Sequence, residues 1–269
     1  MTAVDRSEPG ARVAAHHRDG TGLTRVPYPI EVRTATVRRR ETVTPNILRL
    51  TFGGPGTAGL HTYQFDDHVR IVFPDPDGTR RDPVPNRRTM MLDWPRPMPR
   101  TRKYTIRRYA GDEIDIDFVL HPGGLASDWA RRVEPGEEAV LAGPPGAKAF
   151  AQTYDHYVLA VDATALPAAA RWLEESPADV SAHIVVETAD PADHAYPLAD
   201  RRGVEVTWLV HAEGGLADAV RSLDLPEART FLFAAGETEA VKPLRAWSSE
   251  RMDALFTGYW KRGVSGLED

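Results

Sequence analysis

Between Ile30 and Ala142 apolar and polar residues alternate in short bursts, whereas from Tyr157 onward the apolar residues come in unbroken runs. Alternation with a period of two suits strands with one face buried, and continuous apolar runs suit strands covered on both faces. The first region predicts six strands, at 31–40, 47–52, 68–73, 104–109, 113–120 and 140–142. Glycine and proline clusters at 53–56 and 74–78 mark turns between them, a pattern that makes a small antiparallel barrel. In strand 113–120, Ile114, Ile116, Phe118 and Leu120 are expected on the core face. Residues 82–99 hold too many prolines for a strand or helix and read as a long loop.

Apolar runs at 157–161, 183–187, 204–210 and 230–235 alternate with helical stretches around 167–175, 216–223 and 237–255. That rhythm predicts a parallel α/β sheet. The expected fold is thus an antiparallel six-stranded barrel over 29–150 followed by a parallel-sheet α/β domain over 151–269, which closes on a strand-like run at 256–262. Residues 1–28 mix Gly, Pro, His and charge without periodicity and read as a flexible tail.

The 269 residues include no cysteine, which excludes disulfides, Cys-ligated zinc and protein-ligated iron–sulfur clusters. A formal charge of -6 speaks against general nucleic-acid binding, which needs a basic excess. Basic residues nonetheless crowd 80–108, where ten cations face only Asp82 and Asp93, a local field that suits a small anionic ligand. No apolar run spans a bilayer and no signal-peptide core opens the chain, so no membrane partner is expected and a cytoplasmic location is. His183, His194 and His211 lack metal-ligand spacing, and no metal site is expected.

Within the basic stretch, Arg102-Lys-Tyr-Thr-Ile-Arg107 sets two guanidinium groups, a phenol and a hydroxyl on one strand. Such a set suits a flavin, which wants an aromatic wall, a hydrogen-bonding group at its ring edge and a guanidinium fork for its diphosphate. Strict alternation sends Arg102 and Tyr104 to one face and Thr105 and Arg107 to the other, so all four reach one ligand only near a barrel rim. An ordinary exposed strand with scattered arginines is the alternative. Downstream, His121-Pro-Gly-Gly-Leu-Ala-Ser127 turns strand into helix, either as an anion-binding helix start or as a plain turn with Ser127 as N-cap. Asp162-Ala-Thr-Ala-Leu-Pro167 and Gly236-Glu237 fall at the carboxyl ends of strands, where ligands of parallel sheets bind, but no Gly-x-Gly-x-x-Gly follows the first strand.

A barrel with Arg-x-Tyr-Thr-x-Arg followed by an α/β domain resembles the ferredoxin reductase-like flavoenzymes, and within them the siderophore-interacting proteins, FAD-dependent ferric-siderophore reductases. Six stretches carry the resemblance in order: Arg102–Arg107; Asp117 to His121 with Gly124, Ala126, Ser127, Trp129 and Ala130; 143–146; 162–167; 234–237; and 258–263. Ala163 stands where that family often carries Glu.

The resemblance implies FAD along the barrel rim, with Tyr104 and Thr105 at the reacting ring. It implies cofactor contacts from Arg102, Ile106, Arg107, Asp117, Val119, His121, Gly124, Ala126, Ser127 and Trp129, and from Asp162, Thr164 and Trp260 in the second domain. NAD(P)H would supply electrons, with a ferredoxin as the alternative donor. Lys261 and Arg262, with Lys103 and Arg108, would hold an anionic ferric siderophore. Glu237 is read as the first acid of the long helix and Trp260 either as a stacking or as a core aromatic. A flavin reductase acting on another acceptor and a non-redox chelate carrier remain the alternatives.

Overall fold

A computed structural model of the chain describes residues 4–211, 215–249 and 251–264. The chain forms two compact units, the first mainly residues 24–149 and the second mainly residues from Phe150 onward. Helix α1 (Pro9–Asp19) is followed by strands β1 (Leu23–Pro27), β2 (Val32–Thr44), β3 (Ile47–Gly53), β4 (His68–Val72), β5 (Val84–Asn86), β6 (Met91–Asp93), β7 (Thr101–Thr105), β8 (Arg108–Ala110) and β9 (Glu113–Val119). Helix α2 (Leu125–Arg132) then leads to β10 (Glu138–Ala142) and β11 (Gly146–Phe150).

The main sheet runs β7-β4-β10-β2-β3-β9-β8, seven strands rather than the six expected. The predicted strand 104–109 is split. At Ile106 the chain leaves the β4 edge: the Ile106 amide donates to the Asp67 carbonyl, and the Arg107 amide donates to that of Asp115 on β9. Residues 106–107 therefore link the two ends of the sheet, which curls into a barrel-like form. Its interior is apolar, with Leu50, Phe52, Val69, Ile71, Ile114, Ile116 and Phe118 all buried. The alternation read from 113–120 holds, and the polar residues between the apolar ones meet polar partners on β3.

The amino-terminal segment is not a loose tail. Val13, Val26 and Tyr28 are buried with Ala147 and Ala149, β1 pairs with β11, and the Tyr28 hydroxyl donates to Asp67 at 3.0 Å. Its order comes from a partner strand more than 100 residues away, which local periodicity cannot reveal. The proline-rich 82–99 segment likewise contains a hairpin, β5 with β6. Asn86 makes it: its Oδ1 accepts from the Arg88 and Thr89 amides, and its amide nitrogen donates to Asp93.

The second unit holds β12 (His156–Asp162), α3 (Leu166–Glu175), β13 (Ala182–Thr188), β14 (Val204–Val210), α4 (Gly215–Arg221), β15 (Thr230–Glu237), α5 (Thr238–Ser248) and β16 (Asp253–Trp260). Its strands are parallel in the order β14-β13-β12-β15-β16. Helices α4 and α5 bury Leu216, Val220, Val241 and Leu244 against Val158, Ala160, Leu232 and Ala234. The helix expected over 237–255 stops at Ser248, because residues from Asp253 are drawn into pairing with β15. Glu237 is its N-cap, with the carboxylate accepting from the Ala240 amide at 2.8 Å.

At the amino ends of the strands His156 is buried, 2 % exposed, with Nδ1 2.9 Å from Ser181 Oγ and Nε2 3.0 Å from His183 Nδ1. His183 Nε2 in turn lies 3.3 Å from Glu205. Burial, then the neighbouring His183, hold the His156 imidazole below its ordinary value of 6.5. A base depressed in the folded state adds stability above its unfolded value and loses it as pH falls. Wild-type stability is therefore expected to drop on acidification from pH 7 to pH 5 more than that of His156→Gln, measured by urea denaturation at each pH; parallel losses contradict the assignment.

Candidate active site

In the first unit β7 carries the arginine-rich segment. Its register with β4 sets Ile71 opposite Arg102, Val69 opposite Tyr104 and His68 opposite Thr105. Tyr104 is partly buried, its ring 4.3 Å from that of Phe118. Burial drives its phenol well above the ordinary range, while the charge of Arg102 pulls the other way. The ring is thus a neutral flat wall at neutral pH. Thr105 and Arg107 are buried, and Arg102 and Lys103 are half-buried. Ile106 is fully enclosed in the apolar core, so its side chain anchors the segment.

Phe118 leads from Tyr104 to the second element. Its ring lies 5.9 Å from that of Trp129 on α2, which also packs on Phe73 at 5.3 Å and parallel to Phe52 at 6.5 Å. Trp129 therefore packs helix against barrel, and Ala126 and Ala130 join it in the core. The N-cap of α2 is Gly124, not Ser127, and no side chain caps that end. The amides of its first turn lack intrahelical acceptors. Ser127 instead closes the turn, its hydroxyl accepting from the His121 amide at 2.9 Å. The His121 imidazole lies over Gly124, within 2.2 Å of where a Cβ would stand.

Asp117 and Arg108 both pair with charged groups of the first unit. Asp117 is buried in a two-pronged pair with Arg49, at 2.6 and 2.8 Å, across the β3–β9 register. Arg108 reaches Asp115 at 2.7 Å, and Thr51 donates to the same carboxylate at 2.7 Å. The remaining set fits a flavin dinucleotide: an aromatic wall, guanidinium groups on the same short strand, and an uncapped helix start for a diphosphate.

In the second unit Asp162 gathers the carboxyl ends of three strands. Its Oδ1 accepts from the amide and hydroxyl of Thr164, at 2.8 and 2.5 Å; its Oδ2 accepts from the Glu237 amide at 2.8 Å and the Trp260 indole at 2.7 Å. Burial raises the carboxyl against these four bonds, which favour the ionised form. Gly236, with φ 145°, must be glycine, because a Cβ would stand 2.5 Å from that carboxylate. Trp260 thus ties β16 to β12 through its nitrogen. Lys261 pairs with Glu239 at 2.9 Å, which raises its ammonium above the ordinary value, and the Arg262 amide donates to Glu237 at 3.1 Å.

Sequence reasoning did not find Arg49, the hub role of Asp162, or the contact of His211 with Glu187 at 3.0 Å. For Arg49 a signal existed: polar Arg49 and Thr51 alternate with Leu48, Leu50 and Phe52 as Asp115 and Asp117 do on the neighbouring strand. Among the described residues no cluster of three or more His, Asp or Glu side chains is arranged to hold a metal ion, and no helix is long and apolar enough to cross a membrane.

Comparison with known proteins agrees over nearly the whole chain. Residues 36–148 match the siderophore-interacting FAD-binding domain, and residues 154–263 match the siderophore-interacting protein family. An NADPH-dependent ferric-chelate reductase of Escherichia coli is 32% identical over 245 residues, covering 88% of this chain and 95% of its own. The ferric vibriobactin reductase ViuB of Vibrio cholerae is 32% identical over 243 residues, covering 84% and 88%. Among solved structures a siderophore utilization protein from T. fusca superposes with a TM-score of 0.84 at 37% identity, covering 91% of this chain and 98% of that one.

Proposed function

The chain belongs to the siderophore-interacting protein family, and from that premise we propose that it is a ferric-siderophore reductase, carrying electrons from NADPH through FAD to chelated Fe(III) and releasing Fe(II). The observation that best supports this is local to the first unit: the Tyr104–Phe118–Trp129 contacts bring the arginine-bearing strand and the uncapped start of α2 into one aromatic framework. An ordinary exposed strand has no reason to share a framework with an anion-ready helix end.

When bound, FAD supplies the exchange between two-electron nicotinamide chemistry and one-electron iron chemistry. Tyr104 provides the ring wall, and its raised phenol keeps that wall uncharged. Thr105 offers a hydroxyl to the ring edge. Arg102 and Arg107, with the amides of residues 124–127, bind the diphosphate. The backbone of Asp117, Val119 and His121 shapes the turn that presents those amides, with Ser127 locking it.

Iron needs no protein ligand in this scheme. A siderophore already encloses Fe(III) in hard oxygen donors, and a basic surface suffices to hold the complex. On the first unit Lys103 and Arg108, and on the second Lys261, are the cations we assign to holding that complex. Reduction weakens the grip of the oxygen donors and frees the metal.

NADPH oxidation by the FAD-loaded protein, followed with a ferric siderophore as acceptor and a chromogenic Fe(II) chelator as trap, tests the reading. Fe(II) is expected to appear only when protein, FAD and siderophore are all present. A protein that fails to retain FAD, or that oxidises NADPH equally with and without the iron complex, overturns it.

A further inference from the structure

In open parallel sheets dinucleotides bind beyond the carboxyl ends of the strands; an acid there takes a ribose hydroxyl, or an arginine accommodates a 2′-phosphate. The acid at that place in the second unit is Glu187, on β13, the strand that follows β12 in the chain and pairs with it. It is buried and both oxygens are engaged, Oε2 3.0 Å from His211 Nδ1 and Oε1 accepting from the Leu216 amide at 3.1 Å. A ribose hydroxyl meets no open acceptor. Glu237, ending β15, is closed in the same way, with one oxygen on the Ala240 amide and the other on the Arg262 amide.

What this edge offers instead is a pair of nitrogen groups. A carboxylate at Nδ1 keeps the ring proton of His211 there and turns Nε2 toward the Arg262 guanidinium, 3.4 Å away. The backbone holds His211 in place, its amide donating to the Thr188 carbonyl at 2.7 Å. Its side chain is 49% exposed, and Arg262 is exposed. At 3.4 Å the contact is a long hydrogen bond, and among the described residues the buried Glu187 is the carboxylate paired with His211 while no salt bridge is made by Arg262. An oxyanion completes that arrangement.

We propose that His211 and Arg262 form the subsite for the 2′-phosphomonoester of NADPH, with Glu187 orienting the imidazole. This rests on the reading that a reduced nicotinamide is the electron donor. The phosphate takes the paired N–H donors of the Arg262 guanidinium, with His211, held by Glu187, standing beside it. A dinucleotide with a free 2′-hydroxyl meets donors only and gains less, so the site discriminates against NADH.

Isothermal titration of the whole FAD-loaded chain with adenosine 2′,5′-bisphosphate and with 5′-AMP tests this without turnover. The wild type is expected to bind the bisphosphate at least about tenfold more tightly. Arg262→Ala and His211→Ala each remove most of that preference and leave 5′-AMP binding unchanged, Arg262→Lys keeps part of it, and Glu187→Gln lowers it at constant 5′-AMP affinity. Equal affinities in the wild type, or a preference that survives Arg262→Ala and His211→Ala, overturn the subsite. So does binding of neither nucleotide; chelate reduction by chemically reduced flavin then decides separately whether the ferric reductase reading stands.

Discussion

Arg102→Ala is expected to weaken FAD binding about ten- to hundredfold, the loss of charge-assisted hydrogen bonds of roughly 1.5–3 kcal/mol. Purified variant protein should leave gel filtration colourless under conditions where the wild type stays yellow. The fold should survive, because the guanidinium is half-buried at the rim and not part of the apolar core. Arg102→Lys separates charge from shape: a lysine keeps the cation but loses the fork, so it should recover only part of the affinity. Fluorescence quenching titration of FAD against the three proteins gives the constants. Equal affinity for wild type and Arg102→Ala removes Arg102 from the diphosphate site.

The second large effect concerns stability. Arg49→Ala takes from the Asp117 carboxylate, whose side chain is 1% exposed, the two-pronged bond of that guanidinium. Breaking a buried pair from one side costs roughly 3–5 kcal/mol, whereas replacing both partners with apolar residues of similar volume is often neutral. Urea denaturation should therefore show Arg49→Ala strongly destabilised and the double variant Arg49→Leu with Asp117→Leu far closer to wild type. A single variant that loses under about 1 kcal/mol, the range of an exposed pair, contradicts the buried-pair assignment.

The same pair marks the limit of what the sequence discloses. Alternation alone places Ile114, Ile116 and Phe118 inward, because a strand has no other way to bury them. It also implies that Asp115 and Asp117 face away, but not what meets them: Arg49 lies 68 residues from Asp117, and only the β3–β9 register joins them. Asp117 was expected at a flavin on the strength of family resemblance, and the structure gives its side chain a packing and charge role. The amino-terminal helix follows the same logic. Only Pro9 and Val13 of α1 are buried, too few to form a visible stripe, and its order depends on the pairing of β1 with distant β11.

Turn chemistry was legible where glycine or proline signalled it and hidden where a side chain did the work. The Gly123-Gly124 pair marks the turn into the helix, but the sequence points to Ser127 as the cap where the structure has Gly124. Asn86, which builds a hairpin inside a proline-rich stretch, carries no such mark. At the carboxyl ends of the parallel sheet the run 162–167 marked a ligand-facing turn, yet the four bonds received by Asp162 join residues scattered from Thr164 to Trp260. Contacts of that kind follow from topology, and topology is set by the packing of α4 and α5 on the sheet.

The most direct measurement is an anaerobic single turnover: FAD-loaded protein, reduced with one equivalent of NADPH, is mixed with excess ferric siderophore while flavin absorbance and trapped Fe(II) are followed together. The account predicts that flavin reoxidation and Fe(II) formation share one time course, with two Fe(II) formed for each flavin reoxidised, as electron balance requires. Flavin that stays reduced in the presence of the iron complex, or Fe(II) that appears while the flavin remains bleached, contradicts it.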